Sequence, residues 1–147
     1  MPQFTGTCAF RLMPTDELVD GPATASVRPL GDQYVVDYTW THPDDGPQAG
    51  HLLVGAPEES GQITAAWGDT WHQKPGIMTL TGTRDGDVVK LAASYMGDWG
   101  WEIDLTGLDA TPSMIMRNVV PESALSMAPP GVEVAAGPYD VMVLRVS

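Results

Sequence analysis

The chain has 147 residues, the length of one domain, with 43% hydrophobic and 18% charged residues, a balance that excludes intrinsic disorder. Seven Lys+Arg against 19 Asp+Glu give a net charge of −12, without the basic clusters that nucleic acid or an anionic membrane surface would require. The 16 glycines and 13 prolines show no repeating spacing and point to many turns between short strands.

Near the N-terminus, Phe4 to Leu12 alternates in hydrophobicity and reads as a first strand ended by Pro14. Its Cys8 is the only cysteine, so no intrachain disulfide can form, and it reads as a small buried hydrophobe. No secretory signal and no apolar run long enough to span a bilayer is visible, so a soluble cytoplasmic protein is expected.

Thr15 to Leu18 could start one helical turn that Asp20-Gly21-Pro22 stops. Ala23 to Arg28 is a weak strand ended by Pro29, and Tyr34, Val36, Tyr38 and Trp40 share one face of a firmer one. After the turn Pro43 to Pro47, Gly50 to Gly55 continues the pattern. Ile63, Ala65, Trp67, Asp69 and Trp71 then fall on one face, and Lys74-Pro75-Gly76 reads as the turn into Ile77 to Thr83. Asp85-Gly86 is the strongest hairpin signal, with Val88 to Met96 returning. Next, Trp99, Trp101, Ile103 and Leu105 oppose Gly100, Glu102, Asp104 and Thr106. Met114 to Val120, a short helical turn at Glu122 to Met127, and a last strand from Tyr139 to Val146 complete the chain.

About ten strands in regular strand-turn order exclude parallel pairing, which needs long crossovers. An antiparallel sheet of this size removes its exposed edges by closing, so an up-and-down β-barrel is expected, with a two-sheet sandwich as the alternative.

At Trp67-Gly68-Asp69, Gly76 to Gly82 and Trp99 to Asp104, with the Met-rich Met114 to Asn118 beyond, the sequence resembles the bacterial lipocalin-like barrels of a family of unknown function. Their relatives in architecture are the fatty-acid-binding proteins and the nitrobindins. The resemblance covers roughly Phe4 to the C-terminus and implies a closed barrel around a cavity, without naming a substrate. Nitrobindins hold haem through a histidine close to the C-terminal end. Here the histidines are His42, His51 and His72, and none follows to supply that ligand, so no cofactor is expected.

The aromatic residues Tyr38, Trp40, Trp67, Trp71, Trp99 and Trp101 are candidate walls of a ligand cavity, although burial worth roughly 1.5–3 kcal/mol each justifies them as core packing alone. Asp69 shares their face. It either pairs with Arg117 inside the barrel to read a polar ligand head group, or lies at a wet rim, the simpler reading of a carboxylate. Glu102 and Asp104 read as a solvated outer wall, and Met114, Met116 and Met127 as pliable packing. His51 and His72 match no metal spacing, and no GxSxG, phosphate loop or Cys/His nucleophile pair is present.

The expected function is therefore binding of a small apolar or amphipathic molecule in the barrel interior. A filled interaction module able to form a homodimer is the alternative, and an enzyme using Asp69, His72 or Glu102 ranks last.

Overall fold

In the computed structural model, which describes Pro2–Ser147, ten strands form one closed antiparallel barrel. They are β1 (Phe4–Phe10), β2 (Val19–Leu30), β3 (Gln33–His42), β4 (Gly46–Val54), β5 (Gln62–Asp69), β6 (Gln73–Asp85), β7 (Val88–Tyr95), β8 (Trp99–Thr106), β9 (Ser113–Val120) and β10 (Gly137–Val146). Each strand pairs with its neighbours in sequence, and β1 closes the ring against β10 with Cys8 opposite Leu144 and Phe10 opposite Met142. The sandwich alternative is thereby excluded. A single 3-10 helix, Glu122–Met127, lies in the β9–β10 connection, where the sequence carries a short helical signal.

The period-two pattern decides which face turns inward. Residues Val36, Tyr38 and Trp40 of β3, Ile63, Ala65 and Trp67 of β5, and Trp101, Ile103 and Leu105 of β8 are all buried. Exposed residues such as Asp37, Thr64 and Lys90 alternate with the buried ones on their strands. At the β6–β7 hairpin, Asp85 pairs with Val88 and Gly86 adopts φ +62°, a conformation a side chain would strain.

Three stretches depart from the sequence reading. Strand β2 runs through Asp20, Gly21, Pro22 and Pro29, where interruptions are expected, because ladder pairing to β1 and β3 outweighs proline's lost donors. Thr15 to Leu18 is irregular rather than helical. The β5–β6 turn lies at Thr70–His72, not at Lys74-Pro75-Gly76, which is absorbed into an irregularity of β6 between the pairs Trp67–Met78 and Asp69–Gln73. The cause is chemical: the Asp69 carboxylate accepts the backbone N–H groups of Trp71 and His72, both at 2.8 Å, and so caps the turn. Thr70 anchors it to β4, its hydroxyl accepting from Ala49 N at 3.0 Å and donating to Gln48 at 2.7 Å.

The two barrel ends differ. At the end holding the chain termini and the β2–β3, β4–β5, β6–β7 and β8–β9 connections, the interior is solid with Leu52, Val54, Ile63, Leu105, Met114 and Leu144. There Arg84 stacks over Tyr34, with its guanidinium carbon 4.7 Å from the ring centroid, and the Tyr34 hydroxyl donates to Asp109. The opposite end carries the other connections and contains the cavity described below. Cys8 is fully buried, and burial pushes its thiol up to about 12, so it remains protonated and unreactive at neutral pH. No helix among the described residues is long and apolar enough to cross a membrane.

Candidate functional site

The open half of the barrel interior is a cavity of about 790 Å³ between β5–β10 and the β9–β10 connection. Its floor is a pair of stacked indoles, Trp67 and Trp101, with centroids 5.2 Å apart and planes within 9°. These two meet because only β6 and β7 separate β5 from β8 in the ring and both strands carry tryptophan on the inward register. Met78 and Val141 form side walls, Tyr95 and Trp99 rise toward the mouth, and Met127 with Val132 covers it from the β9–β10 connection. The walls are mainly apolar with a few placed polar groups, the usual character of a small-molecule site.

The polar groups around the mouth satisfy one another. Tyr95 donates its hydroxyl to Asn118 Oδ1, Asn118 Nδ2 donates to the Tyr139 hydroxyl at 3.2 Å, and Tyr139 donates to Leu12 O at 2.8 Å. This chain ties β7, β9 and β10 to the β1–β2 connection. Arg11 fixes the same connection from outside, donating to Asp140 O at 2.7 Å and to Pro14 O at 3.2 Å.

Beside the floor, two residues beyond Trp67 toward the open end of β5, Asp69 is 4% exposed and, among the described residues, forms no ion pair. Its Oδ2 accepts the Tyr38 hydroxyl at 2.6 Å and Trp40 Nε1 at 3.1 Å, while Oδ1 holds the two turn amides. Tyr38 in turn accepts Trp67 Nε1 at 2.9 Å, so a relay of donors runs from the cavity floor to the carboxylate. Burial, with Asp69 close by, raises the Tyr38 phenol well above its ordinary value and keeps it a donor. Gly50 makes room for this arrangement, since a Cβ there would lie 2.2 Å from the Tyr38 hydroxyl.

Beside the cavity, an aromatic plug fills the rest of this barrel end. His42 stacks on Trp71 at 4.7 Å, Trp40 stacks on His72 at 5.3 Å, and Phe10 packs 5.2 Å from Trp40. His42 Nδ1 accepts the amides of Asp44 and Asp45, both at 3.0 Å, and Asp45 accepts Trp71 Nε1 at 2.8 Å. The His72 ring borders the cavity, with its Nε2 2.9 Å from Met142 Sδ. Burial pulls its pKa down to about 4, against the opposing pull of Asp69, so the imidazole is neutral at neutral pH.

The candidate residues thus separate into three groups. Trp67, Trp99 and Trp101 border the cavity. Tyr38, Trp40, Asp69 and Trp71 belong to the hydrogen-bonded plug beside the floor. Arg117 is on the outer wall, where it donates to Asp104 at 2.8 Å and Asp140 at 2.9 Å. An interior Asp69–Arg117 pair is therefore excluded, as is a wet rim position for Asp69. Strand β9 is apolar on both faces, and the inward register belongs to Met114, Met116, Asn118 and Val120, which places Arg117 outside. Sequence reasoning left Met78, Asn118 and Tyr139 out of the cavity wall and named His72 only as a candidate metal or acid-base group. For Asn118 and Tyr139 the inward register of their strands was the available signal.

Since Arg117 and its two carboxylates are partly exposed, Arg117→Leu should lower stability by no more than about 1 kcal/mol in a denaturant titration. It should leave any binding in the cavity unchanged, and a lost or weakened ligand would return Arg117 to the site.

No group of three or more His, Cys, Asp or Glu side chains among the described residues is arranged to hold a metal ion. On the outer face, a groove of about 490 Å³ passes Thr24, Asp37, His51 and Lys74 and reaches Tyr38 and Asp69 between Gly50 and Gly68. No family model matches the sequence, and no curated protein matches it.

Proposed function

We propose that the protein binds a small apolar or amphipathic molecule inside the barrel, as a lipocalin-like carrier or sensor rather than an enzyme. The observation that carries this reading is the cavity itself: about 790 Å³ of space floored by paired tryptophans at a barrel end whose remaining volume is densely filled. Ligand sites commonly have volumes of roughly 300–1,000 Å³. The sequence resemblance to bacterial lipocalin-like barrels supports the same reading, and the lone buried thiol of Cys8 is compatible with a cytoplasmic protein.

Haem fits the site poorly. His72 is the histidine that borders the cavity, and its Nε2, the nitrogen that would face a metal, is engaged by Met142 Sδ.

Intrinsic tryptophan fluorescence, titrated with a neutral apolar dye, fatty acyl compounds and haemin, tests the proposal. Saturable quenching by the dye or an acyl compound is expected, because Trp67, Trp99 and Trp101 border the space. A flat response to every compound, with dimeric elution on sizing, would favour the interaction module instead.

A further inference from the structure

We infer that the cavity selects an amphipathic cation, an alkylated amine or quaternary ammonium compound, whose tail lies in the apolar space and whose head meets Asp98 at the mouth. This rests on the reading of the cavity as a ligand site and names the ligand class.

The charges around the space are of one sign. Asp98 lines the cavity, and no lysine or arginine does. His72, the histidine in the lining, is neutral at neutral pH because it is buried. The connections that border the cavity, β1–β2, β5–β6, β7–β8 and β9–β10, carry Asp16, Glu17, Asp98, Glu122 and Glu133 against Arg11 as their one lysine or arginine. Arg11 is already engaged: its guanidinium donates to the backbone oxygens of Pro14, Asp16 and Asp140, and its carbon lies 5.6 Å from the Tyr139 ring centroid. Asp69, buried beside the floor, has both oxygens held by internal donors, so it opposes an anion without being open to a cation. An anionic head group would therefore lose hydration and meet like charge.

The position of Asp98 provides the complementary group. Tyr95 pairs with Trp99 at the end of the β7–β8 hairpin, and the three residues Met96, Gly97 and Asp98 close it, with Met96 at φ 48° and Gly97 at φ 90°. The short turn sets Asp98 next to two aromatic rings that border the cavity and whose centroids are 6.4 Å apart. Asp98 is exposed, its Oδ2 accepts the Ser123 hydroxyl at 2.6 Å, and among the described residues it forms no ion pair. A head group held there keeps part of its water, so the cost of burying its charge is small. Aromatic rings and a carboxylate both attract an alkylammonium group, and neither attracts a carboxylate head. The tail is left to Trp67, Trp101, Met78 and Val141.

The test uses the full chain at neutral pH and displacement of bound Nile red by three probes of one tail length, each below its critical micelle concentration: dodecyltrimethylammonium, dodecanol and laurate. At low salt the ammonium compound is expected to bind at least about tenfold more tightly than laurate, with dodecanol between them. Asp98→Asn removes the charge at an exposed position and keeps an oxygen for Ser123. It is expected to weaken the ammonium compound by about three- to fivefold and to change dodecanol by less than about twofold. Laurate or dodecanol binding as tightly as the ammonium compound, or an Asp98→Asn protein with the wild-type ratios, would overturn the inference while leaving the cavity a ligand site. Absence of binding by Nile red and every probe would overturn both. Should the variant fold poorly, salt decides the question in the wild-type protein. The gap between ammonium and laurate should narrow from about 0.01 M to about 0.5 M salt, and a gap that does not change would contradict the assignment.

Discussion

Replacing Asp69 with alanine should lower the stability of the fold by roughly 3–5 kcal/mol, among the largest effects expected of any single change in this chain. The substitution leaves the Trp40 indole and the two turn amides without an acceptor, and frees the Tyr38 hydroxyl to turn away from Trp67. Each hydrogen bond to a charged acceptor is worth roughly 1.5–3 kcal/mol, but the chain can relax, which keeps the total below the simple sum. Asp69→Asn sharpens the test. The amide presents an NH₂ either to the turn amides or to Tyr38 and Trp40, so donors face donors whichever way it is flipped. Both variants should shift the midpoint of urea unfolding with little change in slope. An asparagine variant as stable as wild type would show that the carboxylate is not needed as a four-fold acceptor.

Protonation of His72 should make the barrel acid-sensitive in a defined window. Its folded pKa is about 4 and its ordinary value 6.5, so between these pH values the unfolded chain binds the proton and the folded one does not. Stability from this group is fully present above about pH 6.5 and falls as the pH drops toward 4, by about 3 kcal/mol in all. Roughly 2 kcal/mol of that should be gone by pH 5, before most carboxylates titrate. Chemical denaturation at pH 7 and pH 5 measures the loss. His72→Phe retains a ring against Trp40 and Trp101 and should remove most of the pH dependence in that interval. A variant with the same slope as wild type would assign the acid sensitivity elsewhere.

Much of the barrel was legible because its strands alternate cleanly. Tyr34 to Trp40 and Trp99 to Leu105 each have one apolar face, and a closed sheet can bury only that face. The Asp85-Gly86 hairpin and the short helix at Glu122 were equally local signals. The failures share a different cause. The Lys74-Pro75-Gly76 signal lost to a turn capped by Asp69, whose carboxylate also reaches Tyr38 and Trp40 on a strand far away in sequence. Arg117 was misplaced because Ile115 and Val119 on its own face are as apolar as Met114 and Met116 on the other, so period two offered no choice. The stretch covering the cavity, from Met127 to Val134, has no strand or helix periodicity at all, and its position follows from where β9 and β10 end.

The cavity also explains why Trp67 and Trp101 are stacked instead of interleaved with aliphatic residues, as the solid end is. A flat double indole forms a rigid apolar floor at low conformational cost, while Met78 and Met127 provide adaptable walls. The Asp69 relay beside it holds Trp67 in place through Tyr38, coupling the turn at Thr70–His72 to the surface a ligand would touch.

The central claim is that this interior space, not the outer surface, is where a small molecule binds. Met78→Trp tests it most directly, because a third indole placed at the side wall narrows the cavity without altering the outer face of β6. Nile red, followed by its fluorescence, should saturate near one dye per wild-type chain and bind more weakly in Met78→Trp, while far-ultraviolet circular dichroism stays that of the barrel. A folded Met78→Trp protein that binds the dye as tightly as wild type would contradict the account.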